Sequence, residues 1–211
     1  MALGLLALVL LVIVGVTRHQ KNKAVSADSP VTLSEVDENR PELDVELLTV
    51  NPYSRPGTAL EKVNGIVIHY TANPGATAIA NRNYFENLKD THTTKASSHF
   101  VVGLEGEIVQ CIPTAEIAYA SNDRNSDTIS IESCYKNEDG SFEQATYDSV
   151  IKLTAWLCAK FGLTSEDVIR HYDVTGKLCP LYYVEHEDAW AQFKKDVDTY
   201  LQVYKTGDEN G

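Results

Sequence analysis

The segment Ile169-Arg-His-Tyr-Asp-Val-Thr-Gly-Lys-Leu-Cys-Pro180 crowds His171, Lys177 and Cys179 into a short stretch stiffened by Pro180. Few structural needs explain that combination. An imidazole and a thiolate eight positions apart can face one metal ion if Gly176 lets the chain turn back between them, and zinc accepts both ligand types. Such a site needs at least one more ligand. His69 ends the apolar run Val63-Asn-Gly-Ile-Val-Ile-His69 and is expected to project from the end of a buried strand. A fold that satisfies both features must carry that strand end to the 169–180 segment.

The rest of the chain supplies the elements for such a fold. Val63 to Ile68 reads as a buried strand, and Ala76 to Leu88 as a helix with Ala80, Tyr84 and Leu88 at i+4 spacing. Asp90 to Lys95 reads as a polar loop. Ser98 to Leu104 and Glu107 to Ile112 form a hairpin with Glu105 and Gly106 at its turn, and another strand runs through Thr128 to Cys134. Tyr147, Val150, Ile151, Leu157, Cys158 and Phe161 recur near helical period up to Gly162, which is placed to cap the helix. A last amphipathic helix presents Trp190, Phe193, Val197, Tyr200 and Leu201. Strands and helices alternate without strict βαβ regularity and without an internal repeat, so a mixed central sheet flanked by helices is expected.

This domain occupies residues 61–205, with a polar tail over 206–211. Residues 24–60 are polar and acidic with scattered prolines, and such composition buries too little apolar surface to fold alone. They read as a linker whose last part, around Val45 to Pro56, drapes over the domain. Residues 1–23 hold an uncharged apolar run, Ala2 to Val16, followed by Arg18, Lys21 and Lys23. The run is short for a bilayer span of about 20 residues, and an uncleaved anchor and a signal-peptide core are both open readings, the anchor preferred. Taken literally, the positive-inside rule puts the basic residues in the cytoplasm, unless further basic residues precede the run.

A formal charge of −12 over 211 residues argues against nucleic acid as a partner, because phosphate binding needs a basic surface. The four cysteines Cys111, Cys134, Cys158 and Cys179 include no Cys-x-x-Cys pair and no dense disulfide framework. Apart from Cys179 they read as buried apolar residues.

Four ordered motifs then support a resemblance: Val67-Ile-His-Tyr-Thr-Ala-Asn-Pro-Gly75, Ser98-His-Phe-Val-Val102, Asp127-Thr-Ile-Ser-Ile-Glu132 and Arg170 to Pro180. Together they resemble the zinc-dependent N-acetylmuramoyl-L-alanine amidases, the superfamily shared with peptidoglycan recognition proteins, and most of all its endolysin-like branch. The resemblance covers about residues 45–203 and implies a mixed sheet with flanking helices, a zinc ion in an open groove, and cleavage of the amide between N-acetylmuramic acid and L-alanine of the stem peptide. By motif, the implied zinc ligands are His69, His171 and Cys179, and three protein ligands leave a fourth position for water. The implied catalytic carboxylate is Glu132, which would accept and return a proton, and the implied catalytic lysine is Lys177, which would stabilise the oxyanion. Asn73 and the loop Ala120 to Ser126 are expected to line the groove. His99 either meets the sugar or lactyl end of the substrate or is a satisfied structural histidine.

Bland readings stand beside these. His19, His92 and His186 lie in polar surroundings and read as solvated, while Trp156, Trp190 and Phe193 read as core. Cys134 shares a strand face with Glu132 by period, and a packed thiol is the expected role. A muropeptide-binding module that does not cut is the competing functional class, and loss of the cysteine ligand would be its mark. A zinc peptidase acting on proteins would want an HExxH helix, which the chain lacks. The implied partner is peptidoglycan, met in the cell envelope by a secreted or membrane-anchored domain.

Overall fold

Six short strands, β1 (Asp44–Val45), β2 (Gly65–Tyr70), β3 (Phe100–Val102), β4 (Ile108–Gln110), β5 (Thr128–Ser133) and β6 (Val168–Arg170), form one sheet in the order β1-β4-β3-β5-β2-β6. The computed structural model describes residues 33–206 of the chain. The apolar run 2–16, the basic residues after it, His19 and the tail beyond 206 lie outside the described residues. No helix among the described residues is long and apolar enough to cross a membrane.

All strand pairs are parallel except the β3–β4 hairpin, which gives the expected mixed sheet. The central strand β2, of sequence GIVIHY, is apolar nearly throughout because parallel strands are covered on both faces. On one face Ile66, Ile68, Phe100, Val102, Ile129, Ile131 and Val168 meet two long helices, α3 (Gln144–Phe161) and α6 (Glu187–Thr206), which also pack on each other. Trp156, Trp190 and Phe193 lie in this core, as their helical stripes suggest. Gly162 ends α3 in the left-handed conformation at φ +68°, where its freedom from a Cβ lets the cap N–H reach the Cys158 carbonyl.

On the other face α2 (Ala78–Thr91) packs against β3 and β4, around Leu48, Val101, Val109, Cys111, Ile112 and Cys134. Its buried side is Ala78, Asn81, Phe85 and Leu88, spaced 3, 4 and 3 residues apart as a 3.6-residue period requires. The strict i+4 series Ala80, Tyr84, Leu88 drifts off that stripe, and Tyr84 is 52% exposed. The helix also continues through Thr91, into the stretch expected as a loop.

Within the stretch expected as a linker, the described residues 33–60 are part of the domain. β1 adds to the sheet edge in parallel with β4, and the Glu46 and Leu48 N–H groups donate to the Gln110 and Cys111 carbonyls. Leu48 is 1% exposed, and Arg55 clamps Glu116 through two hydrogen bonds. Further upstream, in α1 (Leu33–Glu38), Val36 joins the α3 side of the core, where Lys160 pairs with Asp37 at 2.7 Å. A strand attached through its backbone needs no apolar composition, which is why the segment reads as a spacer in sequence.

Candidate metal centre

The second face of the sheet changes character over β5, β2 and β6. Alternation sends Ile66 and Ile68 to the helical core, so Val67 and His69 point the other way. In β5, Ile129 and Ile131 face the core, while Ser130 and Glu132 share the face of His69. The register pairs His69 directly with Glu132 and Ile68 with Arg170, so His171, one residue past the end of β6, also stands beside His69. All three groups lie at the carboxyl ends of parallel strands, where open α/β sheets place their sites.

Arg170 anchors this strand end from the core side. Its guanidinium donates to Asp173, to the Tyr183 carbonyl and to Glu187, and it stacks on the rings of Tyr172 and Trp190 at 5.4 Å. The following helix α4 (His171–Thr175) stops at Gly176, whose φ of +77° suits a residue without a Cβ. The chain then doubles back, and the Tyr172 N–H donates to the Cys179 carbonyl at 2.9 Å. This is the reversal that the glycine suggests in sequence, and it returns Cys179 to His171.

Cys179 Sγ lies 3.9 Å from His69 Nδ1, and the His69 and His171 ring centroids are 4.6 Å apart. One ligand atom from each of His69, His171 and Cys179 lies within 4.8 Å of the others, and all three residues are buried. Burial, helped by His171 and Lys177, holds His69 well below the ordinary imidazole value, and burial with Lys177 also lowers His171. Burial pushes the Cys179 thiol up to about 12, against a favourable hydrogen bond from the Tyr70 backbone. The cluster is therefore a set of neutral donors converging on one point, and the buried His171 Nδ1 has no hydrogen-bond partner. Two imidazoles and a thiol with an orphaned nitrogen fit a cation that would take up their lone pairs and the thiolate. This group could hold a metal ion.

Glu132 is half-buried, yet its Oε2 is shut away from solvent without a partner. Burial lifts its carboxyl to about 8, and Lys177 pulls in the opposite direction. Lys177 is exposed, and its charge acts on Glu132, His69, His171 and Cys179 together. Asn73 sits exposed in the turn after β2, where its carbonyl accepts from the Ala76 N–H.

His99 is not part of this cluster. It is 1% exposed, its Nδ1 accepts from the Ser130 N–H at 3.0 Å, and its Nε2 donates to the Glu116 carbonyl at 2.9 Å. With both ring nitrogens occupied it bolts β5 to the 116 loop, the structural role left open by its motif. Cys134 is likewise packed, with Asn81 Nδ2 at 3.6 Å. Cys111 and Cys158 are free and buried too. His92 and His186 keep to the surface, stacked on Tyr53 and Tyr182.

Two contacts carry no signal in the sequence. Ser121 Oγ is 3.2 Å from His69 Nε2, and Asn122 Oδ1 is 3.2 Å from His171 Nε2. Both residues stand at a single 3-10 turn, Asn122–Arg124, on the loop that reads as groove lining.

Fold and site together define a mixed α/β domain with a candidate His-His-Cys metal centre at the ends of its parallel strands. Residues 59–181 match the family model described as N-acetylmuramoyl-L-alanine amidase. The chain belongs to this family. It is 39% identical over 165 residues to the N-acetylmuramoyl-L-alanine amidase CwlL of Bacillus licheniformis, covering 72% of this chain and 45% of that protein. It is 36% identical over 171 residues to the N-acetylmuramoyl-L-alanine amidase BlyA of Bacillus subtilis (strain 168), covering 71% and 45%. The chain thus spans about half the length of the curated relatives it matches. Among solved structures it is similar to the catalytic domain of XlyA, with a TM-score of 0.62 and 30% identity over 74% of this chain and 99% of that one.

Proposed function

We propose that the chain hydrolyses the amide joining N-acetylmuramic acid to L-alanine in peptidoglycan, with zinc held by His69, His171 and Cys179. The convergence of those three side chains within 4.8 Å, beside Glu132 in register with His69, carries the reading. Family membership and relatives named as amidases of this type support it. When bound, zinc supplies a Lewis acid for the scissile carbonyl and lowers the pKa of a coordinated water to about 7.

The chain's own residues supply the rest. Glu132 takes the proton of the attacking water at its carboxylate, and its poor solvation makes it a stronger base than an exposed carboxylate. As the new C–O bond forms, the carbonyl oxygen gains charge, which the Lys177 ammonium offsets. Glu132 then passes its proton to the nitrogen as the C–N bond breaks, leaving a lactyl carboxylate and a free L-alanine amino terminus. Asn73, exposed in the turn after β2, lines the approach. The domain acts in the cell envelope, delivered or tethered by residues 1–23.

Zinc content and amino-terminus release from purified peptidoglycan, measured for the chain and for Glu132→Ala, test this. The proposal expects zinc in both proteins and release by the parent alone. A parent that binds zinc and muropeptide without releasing amine would make the chain a recognition module instead.

A further inference from the structure

The loop that begins at Ser121 reaches both histidines of the metal centre from outside it. Ser121 Oγ and Asn122 Oδ1 each stand 3.2 Å from an Nε2 atom, of His69 and His171 respectively. The other nitrogens behave differently: His69 Nδ1 faces Cys179 Sγ at 3.9 Å, and His171 Nδ1 is buried with no partner. A neutral imidazole has one N–H and one lone pair, so an acceptor at Nε2 leaves the Nδ1 lone pair for a metal.

We propose that Ser121 and Asn122 are positioning residues: they accept the Nε2 protons of His69 and His171 and thereby present both Nδ1 atoms to the cation. The inference rests on the metal reading above. Ser121 is 1% exposed, and its N–H, like that of Ala120, donates to Asn125 Oδ1 at 2.6 and 3.0 Å, which fixes the loop where Ser121 is needed. Asn122 adopts φ +51°, a left-handed conformation uncommon outside glycine, and holds its carboxamide against His171 in that conformation. Partners of this kind orient a metal-bound imidazole and raise its basicity.

Zinc affinity, measured by competition with a chromogenic chelator on the full chain, tests the inference with Ser121→Ala, Asn122→Ala and Asn122→Asp. Ser121→Ala and Asn122→Ala should each weaken zinc binding about 10- to 100-fold. Asn122→Asp should restore affinity to within a few fold of the parent, because a carboxylate can only accept from Nε2–H. Metal-free unfolding midpoints close to the parent's separate a lost positioning contact from a lost fold. Asn122→Asp falling as far as Asn122→Ala would mean that the carboxamide donates through its NH2 and that His171 offers the other tautomer, which overturns the assignment. Unchanged affinity in both alanine variants overturns it as well. A parent that takes up no zinc defeats the metal reading itself, an outcome distinct from tight binding that the loop does not influence.

Discussion

Removing one charge at Glu132 should make the metal-free protein more stable while destroying its activity. Glu132 faces the His69 cluster with Oε2 buried and unpartnered, and burial raises its carboxyl from 4.5 to about 8. A group whose folded value lies above its unfolded value holds its proton more tightly when folded, so its ionisation opposes folding. Below pH 4.5 it is protonated in both states and costs nothing on this account. Between there and pH 8, each unit of rising pH removes up to about 1.4 kcal/mol, and above pH 8 the loss levels off. The full span allows roughly 5 kcal/mol, and water reaching the half-buried side chain reduces it to about 2 to 4 kcal/mol. Glu132→Gln keeps the shape and removes the titration. Urea unfolding of chelator-treated protein between about pH 5 and pH 9 should show the variant gaining on the parent as pH rises, with similar denaturant slopes. The depressed histidines are common to both proteins and largely cancel in the difference. A difference that stays flat with pH, or a variant less stable than the parent at pH 8, would refute the claim that Glu132 is an unpaired buried carboxylate.

Arg170→Ala should cost about 1 to 3 kcal/mol in denaturant unfolding, because it leaves the buried Tyr183 carbonyl without its donor, and Arg170→Lys should recover little of it. His99→Gln should lose stability by about 1 to 3 kcal/mol at neutral pH yet keep the parent's KM, since both ring nitrogens serve the fold. Burial lowers His99 to about 4, so the parent alone should lose this group's contribution as pH falls from 6.5 towards 4, visible as a narrowing stability gap to the variant. Zinc at about 1,000 times its dissociation constant should add about 4 kcal/mol to the parent's stability, read from unfolding with and without metal.

The centre's three donors are legible in sequence because strand ends and a glycine reversal bring unusual side chains together under local rules. His69 closes an apolar strand, Gly176 turns the chain at φ +77°, and Cys179 returns to His171 within a few residues. Glu132 is legible for a related reason: a carboxylate among the apolar residues of β5 needs a partner or a task. The loop contacts of Ser121 and Asn122 depend on tertiary placement of a short 3-10 turn, which no periodicity announces. Residues 36–60 join the domain through backbone hydrogen bonds, the Arg55–Glu116 pair and a few buried side chains, none of which alters a polar composition. In α2 a short i+4 series imitates a buried stripe, while the stripe itself includes the polar Asn81. His99 shows the limit of a motif: its position marks the residue, and only the folded structure reveals that both ring nitrogens have partners, the Ser130 N–H and the Glu116 carbonyl.

Cobalt substitution asks directly whether His69, His171 and Cys179 hold one metal ion. The chain should bind about one Co2+ with a near-ultraviolet thiolate-to-cobalt absorption. All four cysteines are free and buried, so the choice among them is informative. Cys179→Ser should abolish the band, while Cys111→Ser, Cys134→Ser and Cys158→Ser should retain it. A band that survives in Cys179→Ser, or a parent that shows none, would contradict this ligand set.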